Sequence, residues 1–289
     1  MATDTPTTGI RRVRIAGEER AVVAAASGLH PLDRSLAALL AAGRDAVHDA
    51  VDAALAAAPV SGSAETLAPI DRQEVWASGV TYERSKQARV EEAAIKDVYT
   101  RIFEAERPEV FMKMPPYRVP PPGAPLRVRA DSTWDVPEPE LALVLDAAGR
   151  IVGYLVADDV SSRSIEGENP LYLAQAKIFD DALGLSDTIV LARDAGDARD
   201  LGIRLTIRRG GAVAYEGETS TARIVRSFET LAAYLFRELT HPFGAVLCTG
   251  TGLVPPDEFT LEDGDDVEIA IDRVGVLRHP VYRSTRGTR

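Results

Sequence analysis

The segment from Trp134 to Asp159 constrains the fold of this chain more than any other. It opens Trp134-Asp135-Val136-Pro137-Glu138-Pro139-Glu140 and continues as two apolar runs, Leu141-Ala142-Leu143-Val144-Leu145 and Ile151-Val152-Gly153-Tyr154-Leu155-Val156-Ala157. Between the runs lies Asp146-Ala147-Ala148-Gly149, and apolar, β-branched-rich segments around an Asp/Gly turn predict an antiparallel hairpin. With Ala147 and Ala148 at the tip, Glu138 faces Ala157, Glu140 faces Leu155 and Asp159 faces Val136. Side chains alternate along a strand, so Glu138, Glu140 and Asp159 share one face and Asp158 points away. A three-residue loop would reverse that parity and favour Asp158.

Three carboxylates at the open end of one hairpin repel one another and hold their protons unless a cation neutralises them. Paired glutamates at the start of a strand are usually solvated. A third carboxylate converging on them favours a hard divalent ion with oxygen ligands.

The rest of the chain narrows the class. At 289 residues with 45% hydrophobic content, it can bury a large core. Its 33 Lys and Arg against 44 Asp and Glu give a net charge of -11, which argues against a nucleic-acid partner. Cys248 is the one cysteine, so no disulfide forms within the chain and no thiolate cluster holds a metal. His30, His48, His241 and His279 lack ligand spacing. Leu36 to Ala58 is rich in Ala and Leu, but Arg44, Asp45, Asp49 and Asp52 interrupt it, so it predicts two short helices and no membrane span. No charged-then-apolar leader opens the sequence, and a cytoplasmic protein is the expectation.

Arg11 to Ala25 predicts a small hairpin, and Pro59-Val60-Ser61-Gly62-Ser63 a joint between an N-terminal unit and the remainder. Glu83 to Arg107 carries apolar residues at every fourth position (Val90, Ala94, Val98, Ile102), which is one helix face. Pro108 to Met114 predicts a short strand on which Glu109 and Lys113 share parity. Ser161 to Gln175 lacks a period and reads as loop with a short helix. Arg163 within it can hold a substrate carboxylate or pair with Glu166 or Glu168. Further strands are predicted at 188–192, 202–208 and 212–215, and a helix over 228–238. The strand Ala245-Val246-Leu247-Cys248 enters Thr249-Gly250-Thr251-Gly252, a turn whose backbone N–H groups suit a carboxylate. Leu261 to Ile269 reads as an acidic surface turn into another strand. Strands dominate without regular βαβ alternation, so the expected class is α+β.

These residues carry a resemblance. Glu138-x-Glu140, Asp158-Asp159-Val160-Ser161-Ser162-Arg163 and Lys177-Ile178-Phe179-Asp180 resemble the metal-binding core of the fumarylacetoacetate hydrolase superfamily. Glu106-Arg107-Pro108-Glu109, Ser132-Thr133-Trp134, Val136 to Glu140 and Glu168-Asn169-Pro170-Leu171-Tyr172 are similar to one branch of it, the 2-keto-3-deoxy-pentonate dehydratases. The similarity runs from about Trp76 to the C-terminus. It departs at Ser164, where Asp is usual, and at Gly184-Leu185, where Gly-Pro is usual. The superfamily's hydrolases usually carry a water-activating histidine in the turn after the first strand. Gly79 to Ser85 contains none, which favours the dehydratase branch.

The resemblance implies a small N-terminal mixed α/β domain over 1–70, a mixed β-roll catalytic domain over 71–289, and a homodimer or higher homo-oligomer. It implies Mg²⁺ or Mn²⁺ on Glu138, Glu140 and Asp159, proton transfer by Glu109 and Lys177, and an α-keto acid substrate held by Arg163, Thr249, Gly250 and Thr251. The implied reaction forms an enolate from a 2-keto-3-deoxy-pentonate, expels the C4 hydroxyl and yields 2,5-dioxopentanoate. Decarboxylation, acylpyruvate hydrolysis and hydration of a 2-oxo-alkenoate share that enolate. A non-catalytic keto-acid-binding relic is the alternative from another class.

Overall fold

A computed structural model describes residues 8–82 and 101–285. Strands Gly9–Ile15, Glu18–Ala25 and Gly28–Pro31 form a meander, and Glu65–Thr66 closes the other edge of this four-stranded antiparallel sheet. The Ala/Leu-rich run forms two helices, Leu36–Ala42 and Arg44–Ala56. Ser35 starts the first by accepting the Ala38 N–H at 3.2 Å. Gly43, at φ 100, separates them, a conformation that disfavours any residue with a Cβ. The helices bury Leu36, Leu39, Leu40, Val47 and Val51 in the core shared with the rest of the chain.

The centre of the molecule is a seven-stranded sheet. Six strands lie in the order Leu183–Leu185, Ile151–Asp159, Pro139–Leu145, Ala245–Cys248, Glu74–Ala77 and Phe111–Met114, and Val190–Leu191 also pairs with Ile151–Asp159. Only the contact between Ala245–Cys248 and Glu74–Ala77 is parallel within it. Every residue of Pro139–Leu145 and of Ala245–Cys248 is buried, as a strand covered on both faces demands. Each fully buried Leu or Val there contributes roughly 1.5–3 kcal/mol. A five-stranded sheet (Ala212–Ser220, Gly202–Arg209, Asp266–Ile271, Gly275–Arg283, Leu126–Val128) packs against the hairpin. Helix Phe228–Leu235 adds Phe228, Leu231 and Leu235 to the same core.

The hairpin forms, but its register differs from the expected one. Asp146 pairs with Arg150 (Asp146 N–H to Arg150 O, 3.0 Å) around the three-residue loop Ala147–Gly149, with Gly149 at φ 76. That loop reverses the parity. The register then steps by one residue between Ile151 and Gly153, and this bulge at Val152 reverses it again. Ala157 ends up opposite Glu140, and the Asp159 N–H donates to the Glu138 carbonyl at 3.1 Å. The expected partners were two residues out, while the expected face was right.

Three other expectations meet the structure differently. Of the helix predicted over Glu83 to Arg107, residues 83–100 lie outside the described residues, and 101–104 are helical. Ser161 to Gln175 is more ordered than a loop: it contains strand Ser161–Ser162, helix Arg163–Glu168, the 3₁₀ turn Pro170–Tyr172 and the start of helix Leu173–Lys177. Asp265 is not a surface residue. It is buried and receives Arg209 through two bonds of 2.7 and 2.8 Å, while Glu262 and Asp263 stay exposed.

Candidate active site

The hairpin's open end lines a pocket walled also by Gly79, Glu109, Phe111, Arg163, Glu166, Leu173, Lys177, Gly250 and Thr251. Carboxylate oxygens of Glu138, Glu140 and Asp159 lie within 4.8 Å of one another, and all three residues are buried. The strand alternation that predicted their convergence is the cause. Asp158, one residue along, faces the opposite side. It is buried against the five-stranded sheet, accepting His279 Nε2 at 2.8 Å and the Glu138 N–H at 2.9 Å. Asp158 thus fixes the backbone of Glu138 from behind.

Three cations reach the triad. Lys177 Nζ donates to Glu138 Oε2 at 2.6 Å and to Asp159 Oδ2 at 3.1 Å. Arg163 Nη2 donates to Glu138 Oε1 at 2.9 Å. Lys113, wholly buried, sits 2.5 Å from Asp159 Oδ1 and donates to the carbonyls of Lys177 and Val160 at 2.6 and 3.1 Å. Glu140 receives the Gly250 N–H at 2.7 Å. Burial, then the neighbouring Asp159 and Glu138, push the Glu140 carboxyl well above the usual carboxylate range, against Lys177 and the Gly250 amide. Burial likewise lowers Lys113, opposed by Asp159. Burial and then the charges of Glu140 and Asp159 raise the Cys248 thiol, so it is no nucleophile.

Each residue picked from the sequence has a definite place. Glu109 is half-buried at the pocket wall, just before strand Phe111–Met114 and not on it, with its carboxylate over Gly79. A side chain at Gly79 would displace that carboxylate. Arg163, open between substrate and a local acid, bonds Glu138. Gly250 and Thr251 line the pocket, but the Gly250 amide serves Glu140. Thr249 lies outside the lining: its hydroxyl donates to the Leu141 carbonyl at 2.8 Å and anchors the strand end. Neither departure from the family pattern reaches the pocket. Ser164 bonds Ser132 Oγ at 2.9 Å, and Leu185 is a core residue opposite Ala157. Lys113 was legible only by strand parity. Glu166, buried in the pocket wall, was singled out only as a partner for Arg163.

The family model for the C-terminal domain of fumarylacetoacetate hydrolase matches residues 74–282, which contain every residue of this pocket. The chain belongs to the fumarylacetoacetate hydrolase family. Within that family, a probable 2-keto-3-deoxyxylonate dehydratase of Haloferax volcanii is 49% identical over 213 residues, 74% of this chain and 73% of that protein. A 2-dehydro-3-deoxy-D-arabinonate dehydratase of Saccharolobus solfataricus is 42% identical over 224 residues, 76% of this chain and 75% of that protein. Among solved structures, a 2-keto-3-deoxy-D-arabinonate dehydratase complexed with magnesium and 2,5-dioxopentanoate superposes with a TM-score of 0.81 at 34% identity, over 95% of this chain and 99% of that one. The mixed α/β architecture expected from the sequence is the architecture of that fumarylacetoacetate hydrolase-family fold.

Proposed function

We infer that this member of the family removes water from a 2-keto-3-deoxy-pentonate to give 2,5-dioxopentanoate, with Mg²⁺ or Mn²⁺ held by Glu138, Glu140 and Asp159. The observation that carries the reading is the buried triad sharing its pocket with Glu109 and Lys177. The donor set fits the ion: three carboxylates and no thiol or imidazole select a hard cation, and the raised Glu140 carboxyl registers negative charge that such a cation relieves. The names of the two close relatives and the magnesium complex support the same reading.

When bound, the ion supplies Lewis acidity toward the keto acid, which makes the proton at C3 removable. The chain's own residues do the rest. Glu109 takes the C3 proton, the C3–C4 double bond forms, and the C4–O bond breaks. The departing hydroxyl leaves as water with the proton that Glu109 returns. A proton then moves from C5 to C3, and the resulting enol becomes the C5 aldehyde. Lys177, anchored on two of the carboxylates, steadies negative charge on the C2 oxygen. Arg163 holds Glu138 in place, and Gly250 and Thr251 line the pocket beside Glu140.

The absence of histidine from Gly79 to Ser85 supports dehydration over carbon–carbon cleavage. Purified protein with Mg²⁺ should convert the pentonate to a product lighter by one water, read by mass. Efficient cleavage of an acylpyruvate with no water loss from the sugar acid would reverse the assignment.

The proposal extends to a cytoplasmic homodimer or higher homo-oligomer with its chemistry in residues 71–289, beyond a small domain over 1–70. Every residue lining the pocket lies in the second stretch, and exposed Tyr117 and Leu171 offer apolar surface for assembly. Among the described residues, no helix is long and apolar enough to cross a membrane.

A further inference from the structure

We propose that Thr81, outside the pocket lining, positions the metal ligand Glu140 by locking the peptide group that hydrogen-bonds its carboxylate. This rests on the reading above that the triad holds the ion. Glu138 bonds Lys177 and Arg163, and Asp159 bonds Lys177 and Lys113. Glu140 is held differently. Among the described residues its carboxylate takes one hydrogen bond, from the Gly250 N–H at 2.7 Å, and no ion pair. Its orientation therefore depends on where that amide points.

A single peptide transmits the hold. The bond joining Thr249 to Gly250 is trans, so its carbonyl and its N–H lie in one plane and point in opposite directions. Thr81 Oγ1 donates to the Thr249 carbonyl at 2.6 Å, while the Gly250 N–H at the other end meets Glu140 Oε2. Holding the oxygen aims the N–H. Thr81 and Thr249 are both fully buried, so bulk water does not stand in for the hydroxyl. Without that donor the carbonyl carries a desolvation cost, which the peptide escapes by rotating. A rotated peptide turns its carbonyl toward Glu140 in place of its N–H.

Both sides of the contact are shaped for it. Gly250 sits at φ 89, and a Cβ there would collide with Thr81 Oγ1 and with the Ser78 carbonyl oxygen. Facing it, Val80 holds φ 52, which a β-branched residue adopts only where its surroundings enforce it. The Val225 N–H donates to the Thr81 carbonyl at 3.0 Å, and Tyr82 bridges to Ile224, so the turn is fixed from outside. Thr81 does not line the pocket, which makes it a positioning residue and not a catalytic one.

Hydrogen exchange followed by NMR on the metal-free full chain, with isotope-labelled glycine, reads the Gly250 N–H directly. Calorimetry with Mg²⁺ alone reads the site. Thr81→Val removes the hydroxyl and keeps the shape, whereas Thr81→Ser keeps the hydroxyl. Thr221→Val is the matched control: that hydroxyl is also fully buried, donates to the Ala198 carbonyl at 2.9 Å and lies outside the pocket lining. Thr81→Val should speed Gly250 exchange about 10–100-fold, the range for a hydrogen bond to a charged group. It should weaken Mg²⁺ binding by about 10–100-fold, as loss of an outer-shell partner does. Thr81→Ser and Thr221→Val should leave both quantities within about threefold, because the peptide stays locked. Unchanged Gly250 exchange in Thr81→Val overturns the proposal, as does faster exchange with Mg²⁺ affinity at the wild-type level. Equal changes in Thr221→Val overturn it too, since Thr81 would then act through the fold as a whole. If the wild type takes up no Mg²⁺ while Gly250 exchange responds to Thr81 as stated, the metal assignment falls and the hold of Thr81 on Glu140 stands.

Discussion

Lys177 and Glu138, 39 residues apart in sequence, meet with Nζ 2.6 Å from Oε2 inside the protein. The same ammonium also bonds Asp159, so it spans two of the three proposed metal ligands. With Lys113 and Arg163, three cations touch two of the three carboxylates, Glu138 and Asp159. The protein thus balances the triad before any ion arrives.

Glu140 should be indispensable for the ion. Among the described residues no ion pair reaches it; it receives the Gly250 amide and is pushed up by the charges of Asp159 and Glu138. Glu140→Gln removes the charge and keeps the shape. Calorimetry should show Mg²⁺ affinity falling by more than ~100-fold, beyond what loss of an outer-shell partner costs. Unchanged affinity would remove Glu140 from the ligand set.

Glu109 should move protons without holding metal. Glu109→Gln is expected to lower kcat by ~10²–10⁴-fold with metal affinity near wild type. Glu138→Gln measured alongside should weaken metal binding itself. Normal turnover by Glu109→Gln, or metal loss matching that of Glu138→Gln, would contradict the division of roles.

Lys113 should be a stability determinant that Mg²⁺ partly replaces. Lys113→Met leaves Asp159 with one cation in a buried site, and breaking a buried pair costs about 3–5 kcal/mol. That corresponds to a melting temperature lower by about 10 °C in metal-free protein. Saturating Mg²⁺ should recover much of the loss. Equal loss with and without the ion would mean that Lys113 acts through packing alone.

Asp135 gives stability a specific dependence on pH. Burial raises its pKa from 3.8 to about 6, against the lowering effects of Ser132, Arg283 and Arg129. The folded protein therefore binds this proton more tightly than the unfolded chain does, and stability from this group falls as pH rises from about 4 to about 6. The full effect is on the order of 3 kcal/mol. Asp135→Asn removes the titration, so urea midpoints of wild type and variant should diverge in the variant's favour between pH 4 and pH 7. A constant difference across that range would show that Asp135 does not titrate there.

Much of this site was legible because period-two alternation fixes faces even when pairing is wrong. Glu138, Glu140 and Asp159 converge as that alternation requires. The pairing partners were not legible, because neither the loop length nor the step at Val152 has a clear residue signature. Arg163 could not be assigned from sequence, since its partner Glu138 lies 25 residues away. The His279–Asp158 bond joins residues 121 apart, beyond any local pattern. The partner of the Gly250 amide was not legible either, because a Gly-rich turn exposes amides in general, whereas this one gives its Gly250 amide to Glu140.

The bulge at Val152 behaves as the second half of a compensated frameshift. The three-residue loop displaces the returning strand by one position, and the bulge restores the frame before Asp159 is reached. Removing one residue from either feature alone would turn Asp159 toward the five-stranded sheet and Asp158 toward the pocket. Removing one from each would keep the acidic face and lose only the irregularities. Insertions and deletions along this hairpin are therefore tolerable in pairs and damaging singly.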